Sequence, residues 1–417
     1  MPGTRCLSGR EVAASVQDYC RKKGQREGRR LYARHLSEAL KAGDLRPSDF
    51  SIRELFEGLV KDGSSIVRQW QLGEAGYGVE LLEAGGSTAV GYADFSNITG
   101  QIFFTEVLEK YEHPDFVFSK EIEKKASIIQ DVEKIPGIAR IGSTTRGIGE
   151  GQEYPRYGVS EDYIEVPAKR KDGGIVEVTK EIIAGDKTGV LTDRCGELGY
   201  WLGYGLEERV CDALLDQGAN ALSAYQGGHR YTWKGTAYAT YQASTPWVNV
   251  KTTNALTDET VIDAAWQVLV AITDPYTGKP IMLAPDALVV APDLVFRATR
   301  LLAATEIRQT APGFATTGSP ATTISPPAIH QVIPGLRVLS SPILKARMQA
   351  ASETTTDWFL GSVRKQVRQY YNWDIITAQR STGTDAEFER DVVMQFKASL
   401  KDCVSTVQPR AMVKSSA

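Results

Sequence analysis

An α+β fold is predicted for this chain of 417 residues. Three observations predict it. The composition is that of an ordinary globular protein, with 42% hydrophobic and 24% charged residues, which speaks against a disordered, collagen-like or membrane-spanning chain. One long run of helical periodicity covers residues 191–214, and separate alternating runs at 161–183 and 392–399 have the period of strands. At about 150 residues per domain, the length suits two or three domains or one large elaborated fold.

In chain order, the first sixty residues predict three short helices. Ser8 and Glu11 form a capping box ahead of Val12, Val16, Tyr19 and Cys20; Leu31, Leu36, Ala39 and Leu40 make a second stripe; Ser51 and Glu54 repeat the capping box ahead of Leu55, Phe56, Leu59 and Val60. Narrow stripes of this kind need a partner surface. Residues 73–103 are rich in Gly, Ala and Ser and predict an extended connection. Asp172-Gly173 lies between Tyr163–Val166 and Ile175–Val178, a pattern that predicts a two-stranded hairpin over 142–183. Next, Leu191, Cys195, Leu198, Leu202, Leu206, Val210 and Leu214 predict one helix with Thr192 as N-cap and Gly218 as stop. At 1.5 Å per residue it is about 40 Å long.

Residues 257–345 predict an α/β module: a helix through Ile262 and Leu269, a strand Ala287–Val290, and a helix opened by Pro292. The uncharged, proline-rich stretch 310–327 predicts a surface loop. Arg364–Trp373, both aromatic and basic, predicts either packing at a sheet edge or stacking on bases. A half-buried strand is predicted over 392–399, and no internal repeat emerges.

The net charge of -3 lacks the basic excess of a chain whose whole surface grips nucleic acid. Residues 1–60 nevertheless hold 12 Lys/Arg against 8 Asp/Glu, densest from Arg21 to Arg34. That excess reads either as a solvated helix face or as a surface turned toward a polyanion or an acidic scaffold. The five cysteines are widely spread without a CxxC pair, which predicts reduced thiols and neither a disulfide framework nor a zinc site. No apolar run reaches the length of a membrane helix, and no signal-peptide core is present, so the expectation is a chain made and assembled in the cytoplasm, away from membranes.

Little in the sequence points to catalytic chemistry. His35, His113, His229 and His330 are isolated from carboxylates at ligand spacing, Gly185-Asp186-Lys187-Thr188 sets a carboxylate where a phosphate would sit, and the glycines at 147, 149, 151, 203 and 205 lack a strand-to-helix setting. No catalytic residue, metal site or cofactor is expected. Triads assembled from distant residues keep a soluble α/β enzyme as a rival reading.

Several stretches carry a resemblance: DFSIRELFEGLV at 49–60, NITGQIFFTEVLEKY at 97–111, EKIPGIARIG at 133–142, GEGQEYPRYGVSEDYIEVPAKRKDGGIVEVTKE at 149–181, DWFLGSV at 357–363 and AEFERDVVMQFKASLKDCVSTVQPR at 386–410. With the order of the segments, they make the chain similar to the major capsid proteins of tailed phages, the Hong Kong ninety-seven type of fold, in the branch of Mu-like head subunits. The resemblance implies a helical N-terminal arm or scaffold-like segment at 1–60, an N-arm and extended link at 61–141, and an E-loop hairpin at 142–183. It further implies a P-domain with a spine helix at 184–254, an A-domain at 255–345 and returning P-domain strands at 346–417. An icosahedral shell of hexamers and pentamers around double-stranded DNA is the implied assembly. The implied partners are copies of the chain itself, portal, scaffold or decoration proteins, and packaged DNA through weak contacts.

Within the implied E-loop the charges are segregated. Glu150, Glu153, Glu161, Asp162 and Glu165 precede Lys169, Arg170 and Lys171, and these residues, with Tyr154, are the candidate intersubunit contacts. Solubility alone is the competing account, since an exposed pair contributes only ~0.2–1 kcal/mol. An encapsulin-like nanocompartment, which shares the fold and encloses cargo protein, is the rival within the same architecture.

Overall fold

Ser51 does what its capping box predicts: its Oγ accepts the Glu54 N–H at 3.3 Å and opens the helix Ile52–Leu59. This is seen in a computed structural model of the chain. The structure describes Arg21 and residues 51–60, 63–72, 99–100, 102–129, 131–138, 150–151, 153, 162–185, 188–216, 231–244, 246–275, 277–304, 307–310, 322–325, 329–381 and 391–416. The helices expected around Ser8 and Leu31, and the loop core at 311–321, lie outside them.

The chain forms two compact units. The first comprises Met1–His113, Lys171–Tyr204 and Trp373–Lys401; the second comprises Pro114–Arg170, Gly205–Asn372 and Asp402–Ala417. In the first unit, Ile52–Leu59 packs on the helix Gly63–Leu72, with the Phe56 ring 5.2 Å from Trp70. Gly63 permits the tight return, because a Cβ there would lie 2.7 Å from the Phe56 carbonyl. Both helices contact the helix Lys180–Ala184, whose end is tied by the Gln71 amide to the Ala184 carbonyl at 2.9 Å. The expected arm boundary at 60/61 therefore runs between two helices that bury Ile52, Leu55, Phe56 and Val67 together.

Residues 102–111 are helical where an extended link was expected to run to 103. Ile102, Phe103, Val107 and Tyr111 are buried at helical spacing, and the Phe103 ring lies 5.4 Å from Phe396. The spine helix spans Thr188–Leu215, one continuous element as its periodicity predicts. Its start differs. Thr192 lies inside the helix and donates its hydroxyl to the Gly189 carbonyl at 2.9 Å, so the hydroxyl back-bonds where capping was expected.

The hairpin predicted around Asp172-Gly173 is not formed. Tyr163–Val166 pairs with Glu133–Pro136 and Tyr231–Trp233, whereas Arg170–Thr179 runs unbroken through Asp172-Gly173 beside Val392–Thr406. Gly173 serves proximity and makes no turn: a Cβ on it would stand 2.5 Å from the Ala398 carbonyl. The turn chemistry lies elsewhere, at Lys234-Gly235, where φ values of 50° and 76° close a two-residue hairpin between Tyr231–Trp233 and Thr236–Tyr238.

In the second unit a five-stranded sheet runs in the order Arg337–Leu339, Ala287–Val290, Trp358–Gly361, Met412–Ser415, Val250–Lys251. The strands Ala287–Val290 and Trp358–Gly361 are buried along their whole length, and Ile262 and Leu269 from the helix Glu259–Ala271, Leu294 from the turn Pro292–Leu294 and Ala298 from the helix Val295–Ala303 join their core. Pro292 opens a 3-10 turn before the second of these helices, as predicted. A smaller core joins Ile135, Ile164, Val166, Trp233, Trp247 and Tyr370. The loop expected at 310–327 keeps strand character at its described ends, because Ile307–Thr310 pairs antiparallel with Thr322–Ser325.

Val367–Ser381 has a strand on either side, Glu123–Ala126 and Val392–Thr406, so Arg364–Trp373 enters the interior of a sheet and not its edge. Tyr370 has no exposed surface, which removes base stacking there. Val392–Thr406 is 15 residues long and buried at nearly every position, more than half-burial predicts.

Phe56 offers the sharpest test of the helix pair. Phe56→Ala is expected to cost about 3–5 kcal/mol, read as a lowered urea midpoint; a loss under about 1 kcal/mol would mean that the pair is peripheral.

Candidate functional site

The nine candidate contact residues fall into three groups. Tyr154 and Glu161 lie outside the described residues, while Glu150 and Glu153 are exposed. Asp162 is held within the second unit: the Trp233 indole N–H donates to its carboxylate, and its carbonyl accepts the Gly137 N–H at 2.9 Å. Gly137 makes room, since a Cβ there would collide with the Asp162 carboxylate. Glu165 sits half-buried in the middle strand of its sheet, paired along the backbone to Lys134 and Thr232.

Lys169 corrects the reading of the basic cluster. Its side chain has no exposed surface, pairs with Glu133 at 3.2 Å, and donates to the Ser127 hydroxyl at 3.1 Å and to the Ile129 carbonyl. The Asn372 amide bonds the Ser127 carbonyl at 2.8 Å and so braces the same 127–129 segment. A buried ammonium needs such partners, because desolvation alone would expel it. Lys169 is thus an internal residue, and only Arg170 and Lys171 of the basic triplet are exposed. The sequence held no signal for this, since three successive cations read alike until burial separates them.

Sequence reasoning also missed the polar residues buried on the spine helix within the second unit. Glu207 has no exposed surface, and its carboxylate accepts the N–H groups of Val117, Phe118 and Ser119, the start of the helix Phe118–Glu121. Arg209 grips both oxygens of Asp402 at 2.9 Å, and Gln369 donates to the same carboxylate at 2.6 Å. Arg347 chelates Asp212 and reaches Glu208 at 3.7 Å. The run Glu207, Glu208 and Arg209, followed by Asp212, in an otherwise apolar half of the helix was the available clue.

Among the described residues, no three His, Cys, Asp or Glu side chains are grouped to hold a metal, and no helix is long and apolar enough to cross a membrane. Cys195, Cys211 and Cys403 are free and buried, and burial pushes the Cys195 and Cys403 thiols up to about 12, which keeps them protonated and inert. A cleft of about 320 Å³ beside Tyr241 contains Lys414, but that cation is neutralised by Glu353 at 3.2 Å and Asp357 at 3.4 Å.

Several large apolar side chains among the described residues are exposed. Trp201, Ile175 and Val190 in the first unit are 63%, 60% and 50% exposed; Met282, Ile128 and Phe296 in the second are 97%, 96% and 76% exposed. A phage capsid protein family model matches residues 163–415, more than half of the chain. The chain belongs to the phage capsid protein family. It is a structural protein whose surfaces serve association with other subunits, and its place is the virion capsid.

No curated protein matches the chain. Among solved structures, the capsid of the cyanophage P-SCSP1u is 12% identical, with a TM-score of 0.43 over 72% of this chain and 88% of that one. The cyanophage Pam1 capsid asymmetric unit is 13% identical, with a TM-score of 0.41 over 73% and 93%. A virus-like particle from Pyrococcus furiosus is 10% identical, with a TM-score of 0.38 over 74% and 96%. The assignment rests on the family match.

Two predictions separate internal from surface charge. Lys169→Glu is expected to destabilise the isolated chain by about 3–5 kcal/mol, because it leaves Glu133 buried against a second carboxylate, whereas Arg170→Glu with Lys171→Glu stays within about 0.5 kcal/mol. Equal melting temperatures for the two variants would contradict this assignment.

The second prediction concerns Glu106, in the first unit, where residues 102–111 meet the spine helix. A Cβ on Gly196 would lie 3.2 Å from the Glu106 carboxylate, and one on Gly199 would lie 2.2 Å from the Val107 carbonyl. Burial first, then the charges of Glu109 and Asp193 against the opposing pull of Lys110, raises the Glu106 carboxyl above its usual value. The folded state thus holds its proton to higher pH than the unfolded chain does, and the stability this supplies is lost as pH rises through the folded pKa. Glu106→Gln is expected to raise the melting temperature at neutral pH and to leave it unchanged in acid. A variant whose melting temperature keeps the wild-type pH slope would contradict the assignment.

Proposed function

We propose that the chain is the major head subunit of a tailed phage or of a prophage-derived particle, self-assembling into hexamers and pentamers that close an icosahedral shell around double-stranded DNA. The match to the phage capsid family over 163–415 carries this reading. The physical features agree. A net charge of -3 on 417 residues avoids tight binding to the packaged polyanion, and large apolar side chains such as Met282 and Phe296 stand almost fully in solvent until a neighbour covers them.

In this reading the exposed positions Glu150, Glu153, Arg170 and Lys171 of the 142–183 segment meet an adjacent subunit, and residues 1–60 guide assembly. Scaffold, portal and decoration proteins are the further partners, and shells form in the cytoplasm of the host. The exposed cations Arg170 and Lys171, with Glu150 and Glu153, are the charges available to such contacts. Each exposed pair contributes only ~0.2–1 kcal/mol, but the term recurs at every contact, and about 1.4 kcal/mol changes an association constant tenfold.

Purified chain, alone or with its phage partner proteins, is expected to sediment as closed particles that negative-stain images show as icosahedral shells. Only monomer or dimer at every concentration and salt would overturn the reading; cargo protein in place of DNA inside the shells would favour a nanocompartment. Arg170→Glu with Lys171→Glu is expected to keep the fold and to suppress particle formation, or shift its salt dependence. Normal particles from that variant at low salt would show that these two cations face solvent in the shell.

A further inference from the structure

The outward face of the spine helix carries Val190, Arg194, Glu197 and Trp201, spaced by four, three and four residues. At 100° per residue they form one narrow stripe, about 90–130° round the helix from the buried Leu191, Cys195 and Leu202. All four are exposed, Val190 by 50% and Trp201 by 63%. Trp201 is also held in place: its ring lies 5.4 Å from Tyr204 and 6.1 Å from Tyr200, and Tyr200 in turn meets His113 edge to face at 5.7 Å. An indole fixed in this way costs little further ordering when a partner covers it.

The stripe is self-complementary. Read in either direction it runs apolar, charged, oppositely charged, apolar, with the same spacing. A second copy of the helix laid antiparallel across the first sets each Val190 against the other copy's Trp201 and each Arg194 against the other copy's Glu197, twice over. A parallel copy would oppose Arg194 to Arg194 and Glu197 to Glu197, which like-charge repulsion disfavours. We propose that this face is a two-fold contact between two copies of the chain, made by antiparallel spine helices, with Val190 and Trp201 burying the apolar area and the Arg194–Glu197 pairs fixing register. The contact is isologous, each copy contributing the same patch. It rests on the capsid reading only in requiring that copies associate; which helix does so is new.

The test is a charge swap. Arg194→Glu alone and Glu197→Arg alone each place like charges across the axis at both pairs and are expected to weaken association tenfold or more by sedimentation at low salt. Arg194→Glu combined with Glu197→Arg restores opposite pairs and is expected to return association to within about threefold of wild type. Independently, Val190→Cys with Trp201→Cys is expected to give a disulfide-linked dimer on mild oxidation, and either cysteine alone is not. Particles that form normally with both single reversals, or a swap that fails to restore association, or particles without the cysteine cross-link, overturn the helix contact and leave the capsid reading standing. A wild-type chain that remains monomeric under every condition overturns both.

Discussion

The spine helix is organised by charges that it buries. Within the second unit, Glu207 receives three backbone N–H groups at 117–119, Arg209 clasps Asp402, and Asp212 is chelated by Arg347. These partners stand 90, 193 and 135 residues away in sequence. Each group would be costly to desolvate alone, so the helix is satisfied only when all three remote segments arrive in register. Apolar packing by itself tolerates sliding; a bidentate guanidinium–carboxylate pair does not. The five-stranded sheet packs mainly on apolar area, as the wholly buried strands Ala287–Val290 and Trp358–Gly361 show, with Asn249 and Asn254 bonding its edge.

In the first unit the same end is reached through missing side chains. Gly199 lets the Val107 carbonyl approach the spine helix, and Gly173 lets one strand approach another at Ala398. Such contacts are stiff, since a single methyl group would have to displace backbone. A shell subunit needs this stiffness, because closure into a fixed geometry depends on small angular errors not accumulating from copy to copy. The association itself can then rest on many weak surface terms, whose reversibility lets misplaced subunits leave.

This division leaves association to the surface. The protein's chemistry lies in surfaces: exposed apolar side chains such as Trp201, Phe296 and Met282, and exposed charges such as Arg170 and Lys171. Lys169, the neighbour of those cations, shows how narrow the margin is. One residue earlier along the chain, the same charge is fully enclosed and braces Glu133 and the 127–129 segment.

By itself the sequence determined the elements whose cause is local. The period of the spine helix, the Ser51 cap, the Pro292 helix start and the strand Ala287–Val290 all follow from side-chain spacing, a capping hydroxyl or a fixed φ, and each lies where those rules put it. The quoted stretches carried the family as well. Tertiary structure alone decided what depends on neighbours distant in the chain. Asp172-Gly173 has the composition of a turn, yet the approach of Ala398 makes Gly173 part of a strand. The three cations at 169–171 split into one buried and two exposed because Glu133 lies beside only the first. Local propensity is worth roughly tenths of a kcal/mol per residue, while leaving a buried charge without its partner costs roughly 3–5 kcal/mol, so the distant partner prevails wherever the two disagree.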